Sequence, residues 1–173
     1  MTRFHKARYL TATLVLLAYV TIVRAQTSGD PRIGTWKLNL EKSQYTVGVG
    51  PQAPIMGIRR LESRPDGFIV FTQIGLNGLS NPIFIQSTYK LDGKSYPEYT
   101  QTSLADLSAA SAEPNRNTYK LIDNYTVEIT RFDTSGRVTG SSTQVLSKDG
   151  RTHTSTNKDA SGKVLATQVW DKQ

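Results

Sequence analysis

The sequence predicts an all-β protein, a single-domain antiparallel up-and-down β-barrel of about nine or ten strands. Three observations carry that expectation. Short segments of alternating apolar and polar residues recur about every 8 to 15 residues, and no segment holds a sustained apolar period of about 3.6. Turn signals such as Asp92-Gly93, Ser135-Gly136, Asp149-Gly150 and Ser161-Gly162 separate them. The two tryptophans, Trp36 and Trp170, lie at opposite ends of the alternating series. Tight turns make neighbouring strands antiparallel, and a meander avoids two exposed edges by pairing its first strand with its last.

Residues 1–25 read as a secretory signal peptide. Arg3, Lys6 and Arg8 precede an apolar run over 10–23, and Val23-Arg24-Ala25 places a cleavage site after Ala25. The run is shorter than the roughly 20 residues that span a bilayer, so cleavage is expected rather than anchoring. Localisation is therefore expected to be secreted or periplasmic. Residues 26–33 read as a flexible N-terminal arm, and 34–173 as the barrel domain.

The first strand starts at Gly34, with Trp36, Leu38 and Leu40 on one face and Thr35, Lys37 and Asn39 on the other. Residues 41–54 carry Gly48, Gly50, Pro51 and Pro54 and read as a long loop with a turn of helix near Glu41-Lys42-Ser43. Strands are expected over 55–62, 68–74, 83–91 and 95–100, with Pro97 marking an edge or a bend. Residues 101–117 read as irregular, with a short element at 104–107. Further strands follow over 118–122, 125–132, 137–147, 151–157 and 163–172. The segment 125–132 alternates most clearly, setting Tyr125, Val127, Ile129 and Arg131 against Thr126, Glu128, Thr130 and Phe132.

Charge and cysteine content exclude several functions. The chain has 21 basic and 14 acidic residues. Loss of Arg3, Lys6, Arg8 and Arg24 with the leader leaves 17 basic residues, a scattered excess without the basic face of a nucleic-acid binder. With no cysteine there are no disulfides, thiolate metal sites or cysteine nucleophiles. A mature domain of this length holds itself together by its core, burying roughly 70% of its unfolded surface.

Several of these residues resemble a known superfamily. Gly34-Thr35-Trp36-Lys37-Leu38 resembles the Gly-x-Trp opening strand of the calycins, the lipocalins and fatty-acid-binding proteins. Thr167-Gln168-Val169-Trp170-Asp171-Lys172 resembles the last strand of the fatty-acid-binding proteins. With Ser43, Tyr45, Asp92-Gly93-Lys94 and Tyr96-Pro97, the chain is similar to small exported bacterial proteins described as lipocalin-like. The resemblance implies a lipocalin-like barrel with Trp36 packed at one end beneath a basic side chain, Lys172, in a cation–π contact. Two departures stand out. Where fatty-acid-binding proteins carry an Arg and a Tyr for the ligand carboxylate, this chain has Gln168 and Trp170, and residues 41–54 offer no helix-turn-helix lid.

No catalytic, metal or cofactor constellation is expected. His153 is the one histidine outside the leader, with no nucleophile elbow or metal-ligand spacing around it. The aspartates at 66, 92, 123, 133, 149 and 159 sit in turns, where Asx hydrogen bonding accounts for them. The Ser- and Thr-rich strands over 137–157 fit either a wet outer face above a thin core or an interior that holds water and a ligand. On the second reading the lining is Arg59, Phe71, Tyr89, Tyr96, Arg131, His153, Gln168 and Trp170. The expected function is non-catalytic binding of a small, partly apolar or amphipathic ligand by a monomer, with no nucleic acid and no membrane anchor after cleavage. An interaction module with a packed barrel and a working rim at 41–54 and 101–117 is the alternative, and a hydrolase comes third.

Overall fold

The computed structural model describes residues 29–46, 50–101 and 113–173. They form ten strands: β1 (Gly34–Tyr45), β2 (Pro54–Ser63), β3 (Ile69–Asn77), β4 (Pro82–Tyr89), β5 (Asp92–Gln101), β6 (Asn115–Leu121), β7 (Thr126–Phe132), β8 (Val138–Leu146), β9 (Thr152–Asp159) and β10 (Val164–Lys172). Each pairs antiparallel with its sequence neighbours, and β1 pairs with β10, so the sheet closes into a barrel. The leader with its cleavage site, and the segment 104–107, lie outside the described residues.

Alternation puts every second side chain inside. On β2, Gly57, Arg59 and Leu61 are buried while Met56, Ile58 and Arg60 are exposed. On β7, Val127 and Ile129 are buried and Glu128 is exposed. Strand closure sets Trp36 opposite Lys172 and Leu38 opposite Trp170, and both indoles are 0% exposed. The Lys172 Nζ lies 5.1 Å from the Trp36 ring centroid and donates to the Pro31 carbonyl at 2.8 Å. Trp36 Nε1 donates to the Arg32 carbonyl at 2.9 Å, and Ile33 packs on the core. Asp30–Ile33 thus plug the end of the barrel where β1 begins, over a cluster that includes Leu61, Ile69, Val127 and Leu146.

Gly57 sits inside because a side chain there has no room. A Cβ at this position would lie 3.0 Å from Trp170 Cη2 and 3.6 Å from the Leu38 Cβ. Gly57→Ala is expected to destabilise the barrel by about 1–3 kcal/mol through overpacking, read as a lower urea midpoint.

Three expectations are corrected. Leu40 is 45% exposed rather than inward. Residues 41–45 are strand, not helix and loop, because β1 runs to Tyr45 through a bulge between Asn39 and Gln44. Side chains take over the ladder there: Ser43 Oγ donates to the Asn39 carbonyl at 2.6 Å and accepts from the Val169 amide at 3.0 Å. That bulge resets the phase of the strand and turns Leu40 out. Pro97 marks no edge, since the closed barrel has none. Instead the β4–β5 ladder stops at Ser87 opposite Glu98, one pair before Pro97. Proline has no N–H to give, and Ser87 Oγ donates to its carbonyl at 2.9 Å.

The turn aspartates cap their own turns. Asp133 Oδ1 accepts from the Ser135 and Arg137 amides, and Asp159 Oδ1 from Ser161 and Lys163, all at 2.9–3.0 Å. The Ser135 hydroxyl and then the Arg137 amide hold the Asp133 carboxyl down at about 2.

Candidate functional site

Arg59 is the organising side chain of the interior. The inward phase of β2 carries it there between Gly57 and Leu61, and it is only 7% exposed. Its Nε donates to Gln73 Oε1 on β3 at 2.6 Å, one Nη to Ser155 Oγ on β9 at 2.9 Å and the other to Gln168 Oε1 on β10 at 3.3 Å. The guanidinium carbon lies 3.7 Å from the Trp170 ring centroid and 5.8 Å from that of Phe71. Every one of these partners is neutral. Burial first, and the nearby Arg131 second, lower its pKa to about 9. It therefore stays charged at neutral pH, with no carboxylate within ion-pair distance among the described residues. A buried charge held only by neutral groups is electrostatically incomplete.

Arg131 enters from β7. It donates to the Ser141 carbonyl and to Asn157 Oδ1, both at 2.9 Å, and burial lowers its pKa too. Between the two guanidiniums lies a cavity of about 70 Å³. Arg59, Phe71, Gln73, Ile85, Tyr89, Glu98, Asn117, Tyr119, Ile129, Arg131 and Gln144 line it. Two arginines face one carboxylate, Glu98, so the lining carries a net positive charge. Tyr119 Oη donates to Glu98 Oε2 at 3.3 Å, and the ring stacks on Tyr89 at 3.6 Å between centroids. Desolvation pushes both phenols up, so they act as neutral hydrogen-bonding groups. Asn117 is 1% exposed; its Nδ2 donates to Tyr119 Oη, and its Oδ1 has no partner.

Of the residues expected to line a pocket, Arg59, Phe71, Tyr89 and Arg131 meet at this cavity. Gln168 and Trp170 stand behind Arg59 and hold it. Tyr96 is apart, its hydroxyl on Asp92 and its ring 6.0 Å from Phe68 near the plugged end. His153 is apart as well, buried 5.5 Å from Trp36. Desolvation, then Arg59 and Arg32, lower its pKa to about 3. That makes it a neutral core side chain at physiological pH.

The other lining residues were not marked by the sequence reading. Gln73 and Glu98 carried the one available signal, as polar residues in phase with aromatic ones (Phe71 and Tyr96) on the same strand. The polar strands β8 and β9 turn Ser142, His153 and Ser155 inward while Thr139, Thr143, Thr152 and Thr154 alternate with them, so the interior as well as the outer face is polar there. Ser155 and Asn157 are there to serve the arginines. Among the described residues no group of three or more His, Asp or Glu is placed to hold a metal ion. No protein-family model matches this chain and no curated protein matches it, so the site is read from its own geometry.

Proposed function

We propose that this is an exported, non-catalytic binding protein whose barrel holds a small, partly apolar molecule by an anionic group. The supporting observation is Arg59, a charged guanidinium inside the barrel, satisfied by neutral groups alone and opening on a cavity whose other cation is Arg131. The aromatic and aliphatic walls at Phe71, Ile85 and Ile129 suit the apolar part, while Asn117 Oδ1 can accept from a hydroxyl or N–H of the ligand. A volume of about 70 Å³ holds about two waters at roughly 30 Å³ each and falls well below the roughly 300–1,000 Å³ of drug-sized sites. The ligand is accordingly a short acid, or a longer one of which only the head enters.

Because Trp170 stacks on Arg59, its fluorescence reports the site directly. In a Trp36→Phe background it is the only tryptophan. Titration with short carboxylic acids is expected to give a saturable change that the matching alcohols do not. No response to any acid in the panel overturns the reading. The small cavity favours one second reading, a packed barrel that works as an interaction module through its rim. That reading predicts a silent titration together with specific capture of a partner from an envelope extract.

A further inference from the structure

We infer that the corner of the barrel formed by β2, β3 and the β3–β4 turn docks on a lipid bilayer. The inference is independent of the interior site and starts from charge. Two stretches of the sequence, residues 43–58 and 67–89, hold no charged residue. The fold brings them together, since β2 pairs with β3 along its length and the Gly78 amide donates to the Ala53 carbonyl at 3.0 Å. Four connections elsewhere, β2–β3, β6–β7, β7–β8 and β8–β9, each carry an aspartate, and β5 begins and β9 ends on one, Asp92 and Asp159. The β1–β2 and β3–β4 connections, adjacent at one end of the barrel, carry none.

What this neutral corner exposes is aliphatic. Leu79 at the turn tip is 54% exposed, Ile74 is 51% exposed, and Ile55, Met56 and Ile58 are exposed beside them. Ile58 and Ile74 are direct cross-strand partners, so the side chains form one outward patch rather than scattered singles. The patch bends from the barrel wall onto the tip of a turn. Two convex barrels meet along a line and leave most of such a corner wet, whereas a fluid bilayer closes around it. Its edge carries Lys37, opposite Ile58 on β1, exposed and without an ion-pair partner among the described residues. A lysine at that position suits the phosphate level of a membrane whose acyl region takes the aliphatic side chains.

The chain has no cysteine, so a single introduced one can be labelled cleanly. The full chain is prepared as Leu79→Cys and as Lys148→Cys, the latter exposed in the β8–β9 turn at the opposite end. Each carries a polarity-sensitive fluorophore and is mixed with vesicles of phosphatidylcholine, with and without phosphatidylglycerol. The expected result is a blue shift and a severalfold gain in emission at position 79, none at 148, and loss of the response when Ile74→Asp is added. Met56→Cys gives a second reporting position should Leu79→Cys not fold. No response at either corner position overturns the inference. An equal response at 148 also overturns it, pointing to binding through another part of the chain. A response at 79 that follows protein concentration without vesicles overturns it in favour of a second copy.

Discussion

Replacing Arg59 by Gln is expected to abolish most carboxylate binding while leaving the barrel folded. Loss of a hydrogen bond to a charged group costs about 1.5–3 kcal/mol, so affinity for a short acid falls about tenfold to a hundredfold or more. Gln keeps a donor for some of the acceptors that Arg59 now satisfies, Gln73 Oε1, Ser155 Oγ and Gln168 Oε1. It also removes an incompletely compensated buried charge, an effect that offsets part of the lost contacts. The folded barrel is expected to lose little stability, and affinity and stability should separate. Arg131→Gln should weaken binding less, because that guanidinium is only half-buried and its charge is better screened by solvent than that of Arg59. Isothermal titration with a short acid, set beside a urea melt of each variant, checks both. In the wild type, affinity should hold through neutral pH and fall above about 9, where the Arg59 charge is lost.

Acid should unfold this protein through His153 before it does so through the carboxylates. The imidazole is buried, with its Nδ1 unpartnered, and its pKa is lowered to about 3. In the unfolded chain it takes a proton near the usual pKa of about 6.5. Between these values the unfolded state binds the additional proton, so stability is present above pH 6.5 and is lost as pH falls toward 3. At about 1.4 kcal/mol per unit, the loss by pH 4 is about 3 kcal/mol. The lowered turn carboxylate Asp133, at about 2, contributes its loss only below the ordinary carboxylate range. His153→Leu should therefore flatten urea stability between pH 7 and 4 while leaving the steeper fall below pH 4. An unchanged slope in that window places the acid sensitivity elsewhere.

The barrel was legible because its rules are local. Alternation in Val127-Glu128-Ile129 fixes which way β7 faces, and Asp followed by Gly at positive φ fixes the β2–β3, β4–β5, β7–β8, β8–β9 and β9–β10 turns. The Trp36 and Trp170 ends could be matched because a meander has only one way to lose its edges. The interior was legible only in part. Arg59 stands out as a charge in phase with Leu61, but its three partners lie 14, 96 and 109 residues away. Nothing within one strand marks Gln73, Ser155 and Gln168 as a set. On β8 and β9, Ser and Thr occupy both faces, so polarity carries no phase there and the inward serines could not be told from outward ones. The Leu40 error has the same root: a bulge spoils a period of two without changing composition.

On the proposed function, the charged Arg59 inside the barrel is the group that receives the anion. Nitrogen–proton correlation spectra of the arginine side chains address it most directly, because Arg59 Nε–H is buried and bonded to Gln73. A slowly exchanging Nε–H signal that disappears in Arg59→Gln, and moves saturably when a short carboxylic acid is added, is the predicted result. A signal that exchanges as fast as those of surface arginines, or stays put at saturating acid, would contradict it.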